Sequence, residues 1–261
     1  MDKEIIRISS DLKQYLSSLF VKAGILPWFL GIALITFSVA SDNFLTAANI
    51  VGVARHSTDL ILVAMAQMIV MLTAGLDFSV GVILAMTSVV ASMTMVALWS
   101  GYGSGWEAIT IGCLAGLLVG ACIGMVNGVG VAFFRVPPFI MTLGMSSIIF
   151  GLALTITGGI PVYGAPESFT NIVGYGTLFG LSITIWITLF CILLIYIFIN
   201  LTKMGRYFYA IGGNLRAAEL SGINTKLYIV SAYVFSALVT SIAALLITAR
   251  LETGEPNIGA N

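Results

Sequence analysis

Three polar groups interrupt an otherwise apolar chain, and each could do something that lipid alone does not permit. The stretch "LTAGLDFSVG", Leu72 to Gly81, sets Asp77 between two oily runs. A carboxylate at the centre of a membrane helix costs about 2.5–3.5 kcal/mol even on the gentlest scale. Asp77 therefore belongs at an edge or beside a partner. A turn at the cytoplasmic interface satisfies this: Gly75 takes the left-handed conformation that ends one helix, and Asp77 accepts the first free N–H groups of the next. The second group is Arg55, His56 and Asp59 in "NIVGVARHSTD". Arg55 and Asp59, four apart, form either a modest surface pair at an outer interface or part of a substrate-side vestibule. The third is a pair of amides, Gln67 and Asn127, which either contact a hydroxylated solute or bridge neighbouring helices.

Hydrolytic chemistry finds no support, since neither G-x-S-x-G nor H-E-x-x-H occurs. With one histidine, His56, there is no His-rich metal site, and no metal ligand set is expected. Cys113, Cys122 and Cys191 fall inside apolar runs and read as packing residues.

The elements that position these groups must suit a lipid solvent. Of 261 residues, 59% are hydrophobic and only 8% charged, with mean hydropathy +1.08. Soluble domains carry about 25% charged residues. The expected fold is all-α, a polytopic helical membrane protein forming one transmembrane domain over 1–261. Seven spans are expected, at 24–40, 50–72, 80–98, 108–131, 139–157, 180–200 and 227–249. Residues 1–23, with three acids, are too long and acidic for a signal-peptide n-region, so the first run is retained as a span. With the N-terminus in the cytoplasm, only Arg55 and Arg250 among the 11 basic residues lie outside. Trp99, Trp106 and Trp186 then mark outer span ends, and the odd span count leaves "LETGEPNIGAN" outside. The run Leu60–Leu72 is too short to cross alone, so residues 49–59 must enter the membrane sheltered by protein or lining a wet cavity.

Span four carries an unbroken row of Gly112, Gly116, Gly120, Gly124 and Gly128. Each costs a helix about 1 kcal/mol relative to alanine, so five in step require a close-packed partner. At 100° per residue the row drifts about 40° per step and forms a slanted groove. Helix packing, or a surface that slides during gating, are the two readings.

The longest inner loop, about 201–226, contains "GRYFYAIGGNLRAAELSGIN". Asn214 is a good N-cap, "LRAAEL" a two-turn helix, and Ser221-Gly222 its stop. Ala217 and Ala218 offer a small face that could seat in a partner's cleft, and Gly205, Gly212 and Gly213 allow sharp turns. Together with "LTAGLDFSVG" and "VPPFIMTLGM", this loop resembles the permease subunits of ribose-type, simple-sugar ATP-binding-cassette importers, in order from about Asn43 to Arg250.

The resemblance implies a coupling helix that docks on an ATPase subunit, mapped to Gly205, Arg206, Gly213, Asn214, Ala217, Ala218, Ser221, Gly222 and Ile223. It maps the family's turn motif to Gly75, Asp77, Ser79 and Gly81. It further implies a multi-pass protein of the cell (inner) membrane with a second permease, identical or different, two cytoplasmic ATPase subunits carrying ATP and Mg, and an extracytoplasmic sugar-binding protein. Nucleic acid is not an expected partner. No G-x-x-x-x-G-K-[ST] is present and none of the five lysines follows a glycine, so this chain itself is expected to bind no ATP and no cofactor. Family permeases continue past "ARLETGEPNIG" with further spans, so the chain reads as C-terminally truncated. The alternative of an ion-gradient-driven secondary transporter requires intramembrane acids in relay and an inverted repeat. Spans three to seven hold almost no acids.

Overall fold

The structure, a computed structural model, describes residues 24–102 and 105–259; the expected cytoplasmic segment 1–23 lies outside them. The chain divides into two compact units between Val53 and Ala54. The first contains helix α1 (Leu26–Ala40) and the opening of α2 (Ala47–Met71). Within it the Phe37 and Phe44 rings meet at 5.7 Å, and Asn49 Nδ2 donates to the Phe44 carbonyl at 2.7 Å. The second unit contains the rest of α2, then α3 (Val80–Tyr102), α4 (Gly105–Ala132), α5 (Pro138–Thr157), α6 (Ile183–Leu201), α7 (Lys203–Gly213), α8 (Leu215–Leu220) and α9 (Thr225–Leu251).

Among the described residues six helices, α2 to α6 and α9, are long and apolar enough to cross a membrane. The first expected span, 24–40, is the 15-residue α1. At 1.5 Å per residue α1 rises about 22 Å, less than the roughly 30 Å hydrocarbon core. The stretch between α5 and α6, expected as plain loop, contains a helical turn Glu167–Phe169, a wider turn Thr170–Gly174, and a two-residue hairpin pairing Thr177–Leu178 with Leu181–Ser182. Phe179 and Gly180 both have positive φ at its tip, the geometry that a tight two-residue hairpin demands.

The glycine row explains how α3, α4 and α9 pack, and these three helices share the most extensive contacts in the fold. All five glycines are buried. A Cβ on Gly116 would sit 3.1 Å from Thr87 Cγ2, and one on Gly112 2.9 Å from the Ala91 carbonyl, both on α3. At Gly120 the row crosses to α9, where a Cβ would run into Ser241 Oγ and stand 3.4 Å from the Ala237 carbonyl. It stays on α9 from there: a Cβ on Gly124 would stand 2.6 Å from the Tyr233 carbonyl, and one on Gly128 2.7 Å from Val230 Cα. The slant that separates 3.6 residues per turn from a step of four thus carries one row across two partners. Close helix packing, the first of the two readings of this row, is what the contacts describe. Gly124→Ala is expected to lower stability by about 1–3 kcal/mol through overpacking, whereas Gly151→Ala, with open space around it, changes little. Thermal melts of the purified variants compare the two directly.

Alongside this contact runs a seam of buried hydroxyls. Thr87 and Ser241 meet at 3.0 Å, and Thr248 donates to Ser88 at 2.7 Å. Ala91, Met95, Ile109, Leu245 and Ala249 close the core on one side, and Leu62, Ile69, Ile195 and Phe208 fill it on the other.

The chain end does not stay beyond α9 as the odd span count implied. Glu252, at φ 60°, reverses the backbone, and Gly254 pairs with Val162. The Glu255 N–H donates to Ser88 at 3.1 Å, and Gly259 lies against Gly81. From Ser92 through Ser88 to Gly81 the segment retraces three turns of α3, about 16 Å. Irregular backbone at that depth is tolerated only where protein shelters it. Gly81 and Gly254 supply the room, since a Cβ on Gly254 would lie 2.6 Å from Ser92 Cβ.

Candidate functional site

At one end of the fold the expected short helix is present with both of its signals. Asn214 is extended, and its Oδ1 accepts the Ala217 N–H at 3.0 Å. Gly222, at φ 80°, ends α8 in a Schellman closure, with Gly222 N–H to the Glu219 carbonyl at 3.0 Å and Ile223 N–H to the Ala218 carbonyl at 3.1 Å. Ser221 Oγ adds a bond to the Ala217 carbonyl at 2.9 Å. Six residues could not hold a helix alone; caps at both ends and the neighbouring α7 hold this one.

The helix α7 was not expected. Thr202 starts it, accepting the Gly205 N–H at 3.3 Å, and Phe208 and Ile211 anchor it in the core at 0% and 2% exposure. The sequence "KMGRYFYAIGG" carries the signal, an apolar residue at 204, 208 and 211. Gly205, Gly212 and Gly213 therefore lie in a helix and make no sharp turns. Gly205 admits the Ile199 backbone and Gly212 the Leu72 carbonyl, while Gly213 has open space.

The two alanines separate. Ala218 is buried at 4% against its own chain, and Ala217 faces outward. Arg206, Asn214, Ser221 and Gly222 are exposed with it, and Ile223 is half-buried. Leu220 stands beside them 78% exposed, an apolar side chain on a polar end. Gly212 on Leu72 then links α7 to the α2–α3 turn.

That turn is built differently from expectation. Ala74, at φ 58°, takes the left-handed position, and Gly75 N–H closes onto the Val70 carbonyl at 3.2 Å. Gly75 is needed for space, because a Cβ there would lie 2.8 Å from Val70 Cγ1 and 3.0 Å from the Tyr233 hydroxyl. Asp77 is 4% exposed and does not sit at a solvated edge. Its Oδ1 accepts the Ser79 N–H at 2.8 Å and the Ser79 hydroxyl at 2.5 Å, and Asn127 Nδ2 donates to Ser79 Oγ at 2.8 Å. Tyr233 OH donates to the Leu76 carbonyl at 3.1 Å. Asn127 is thus a brace between α4 and the turn, the helix-bridging reading.

Burial raises the Asp77 pKa, and the two Ser79 hydrogen bonds oppose it in part. With the folded value above the unfolded one, Asp77 favours folding at low pH, and this contribution fades as pH rises through the folded value. Asp77→Asn keeps the acceptor oxygen and removes the charge, so it is expected to hold stability at neutral pH and to flatten that pH dependence. Asp77→Ala strips Ser79 of its partner and costs about 1–3 kcal/mol. Melting curves across pH separate the two variants.

At the opposite end, Arg55 and Asp59 do not pair with each other. Asp59 Oδ2 meets Arg250 Nη2 at 2.5 Å, with the side chains 10% and 20% exposed. Arg55 donates to the Gly174 carbonyl and lies 4.8 Å over the Tyr175 ring, and Tyr175 OH donates to the Arg250 carbonyl at 3.1 Å. The long-range partners win because α2 faces both the Thr170–Gly174 turn and the end of α9. Gln67 is half-buried at mid-helix, its Oε1 without a hydrogen bond among the described residues. Arg55, Asp59 and Gln67 lie on α2, whereas Asn127 belongs to the other end.

The family model for "Branched-chain amino acid transport system / permease component" matches residues 49–261. The chain belongs to that permease family. Among curated relatives, this permease is 32% identical to the D-allose transport system permease protein of Escherichia coli K12, over 85% of this chain and 66% of the relative. It is 33% identical to the ribose import permease protein of the same strain, over 85% and 68%. It is 31% identical to the L-arabinose ABC transporter permease protein of Azospirillum brasilense, over 90% and 66%. The chain therefore spans about two thirds of the length of these relatives. No solved structure matches it.

Proposed function

We propose that this permease is the membrane-spanning subunit of an ATP-binding-cassette importer that moves a simple sugar, or a similar small hydroxylated solute, into the cytoplasm. The observation that carries the reading is α8: a helix too short to stand alone, capped at both tips, with Ala217 and Leu220 bare at the end of the fold. The relatives' names add the sugar class. Arg135, Lys203, Arg206, Arg216 and Lys226 gather at the α8 end, which by the positive-inside rule is cytoplasmic. The reading is of a cell (inner) membrane protein with a cytoplasmic N-terminus, which in addition requires α1 to complete a crossing together with the residues that flank it.

An ATPase subunit seats on α8, and ATP and Mg are bound and used there. Its closure pushes on Ala217 and Leu220, and buried Ala218 and Phe208 pass the push into the core. Gly212 transmits it to the α2–α3 turn held by Asp77 and Ser79. A second permease, identical or different, completes the pathway. An extracytoplasmic sugar-binding protein delivers solute to the end where Asp59, Arg250 and Arg55 join α2 to α9. The transition is a shift between two packings of the same helices. Proteoliposomes holding the permease and its ATPase test this: uptake of labelled ribose, allose or arabinose should require ATP. Accumulation driven by an ion gradient without any ATPase would replace this reading with a secondary transporter.

A further inference from the structure

Two cavities adjoin at the α8 end of the fold, and their linings differ sharply. The first, about 570 Å³, lies between the α2–α3 turn, the α4–α5 turn and the α8–α9 connection, and is lined by Arg135, Lys226, Glu219 and Tyr233 among others. The second, about 430 Å³, is walled by apolar side chains of α4, α5 and the turn between them, including Met125, Val126, Val129, Phe134 and Met141. Val136 lines both.

The two cations converge on the first cavity. Lys226 Nζ lies 5.3 Å over the Phe133 ring, two residues from Arg135. Lys226 occupies the first turn of α9, where the helix dipole presents its positive end, so the local field calls for an anion. Arg135 holds a left-handed backbone at φ 56°, a strained conformation for a non-glycine residue. Among the described residues neither cation has a carboxylate within ion-pair distance. Glu219, the acid of the cavity, is engaged elsewhere: its Oε2 pairs with Arg216 at 3.3 Å and its Oε1 accepts from Thr225 at 3.5 Å. Phe134, at 76% exposure, and Phe139, at 50%, flank the turn as apolar surface turned away from the core.

We propose that this pair of cavities holds one anionic phospholipid, its phosphate against Arg135 and Lys226 and an acyl chain along the groove of Val126, Val129 and Met141. A free anion would have no use for the apolar groove, and a neutral lipid none for the two cations. A basic pocket between membrane helices beside an acyl-sized groove has the chemistry of an acidic lipid headgroup site. Bound there, the lipid ties the α4–α5 turn to the start of α9, directly beside α8. The inference rests on the chain's membrane-permease fold and on none of the assignments of solute or ATPase.

Purified permease in nanodiscs, or released from them for native mass spectrometry, tests it with three probes: dioleoylphosphatidylglycerol, dioleoylphosphatidylcholine and inorganic phosphate. Phosphatidylglycerol should be retained as a single adduct and raise the melting temperature above the other two. Arg135→Gln with Lys226→Gln should weaken retention by roughly ten- to thirty-fold. Arg135→Lys with Lys226→Arg should keep it, as should Lys203→Gln. Val126→Trp, which fills the groove, should weaken it with both cations intact. Equal retention of phosphatidylcholine, unchanged binding by the double Gln variant, or equal stabilisation by inorganic phosphate would each overturn the proposal. Should the double Gln variant fail to fold, the lipid comparison on the wild-type chain with Val126→Trp decides the matter. Loss of sugar uptake with retained phosphatidylglycerol selectivity would sink the transport reading and leave the lipid site standing.

Discussion

Ala217→Arg is expected to abolish ATP-driven uptake while leaving insertion and melting temperature unchanged. The position is open at the tip of a doubly capped helix, so a long cation there meets solvent in the free permease and meets the ATPase only in the complex. The same change at Ala218 has a different outcome. With 4% exposure it has no space for a guanidinium, so Ala218→Arg should unfold the α7–α8 unit and lower stability by several kcal/mol, on the order of the cost of an unpaired buried charge. Co-purification of the ATPase is the measurement. If it co-purifies with Ala217→Arg as it does with the native chain, the docking surface lies elsewhere. Leu220→Ser, which removes apolar area at the same tip, should weaken co-purification without touching the fold.

Asp59→Ala should cost about 3–5 kcal/mol, the usual penalty when one partner of a buried ion pair is removed and the other left uncompensated. Arg250 would remain near Tyr175 with no counter-charge, at a helix end that its guanidinium now ties to α2. Arg250→Ala should cost a similar amount. The reversed pair, Asp59→Arg with Arg250→Asp, should recover a large part of the loss, and Asp59→Leu with Arg250→Met should come close to native stability. Melting temperatures of the four variants read the energetics. Uptake reads whether the link does more than hold the fold: a stable apolar pair that no longer transports assigns the charges to gating. If Asp59→Ala melts within a degree of the native chain, the pair carries no such weight.

Legibility differed from residue to residue. Asn214 and Gly222 act within four residues of themselves, and their roles as start and stop were read correctly from local rules. Span limits were within four residues from α2 onward, because an apolar run is its own signal for a membrane helix. The row from Gly112 to Gly128 announced a close-packed face, but its change of partner at Gly120 rests on where α9 lies. Residues whose role depends on distant partners were read less well. Gly75 was assigned a left-handed backbone that Ala74 in fact adopts, since the space Gly75 vacates is taken by Tyr233, 158 positions along the chain. Arg55 and Asp59, four apart on one helix, looked like a pair, yet each is claimed by an element more than 100 residues away. The serine and threonine seam of α3 and α9 went unread, though Thr87, Ser88, Ser241 and Thr248 stood in apolar runs as a possible signal.

By itself the sequence determined the solvent, the helical class, the approximate spans and the double capping of α8, because each follows from composition or from bonds that close within one turn. Only the tertiary structure decided which alanine of α8 faces out, that α7 is a helix moored by Phe208, that Arg250 answers Asp59, and that the chain end folds back along α3. These depend on which surfaces meet across the fold, and in an apolar chain many faces are equally oily. Steric room at glycines and the few available counter-charges then select the partner.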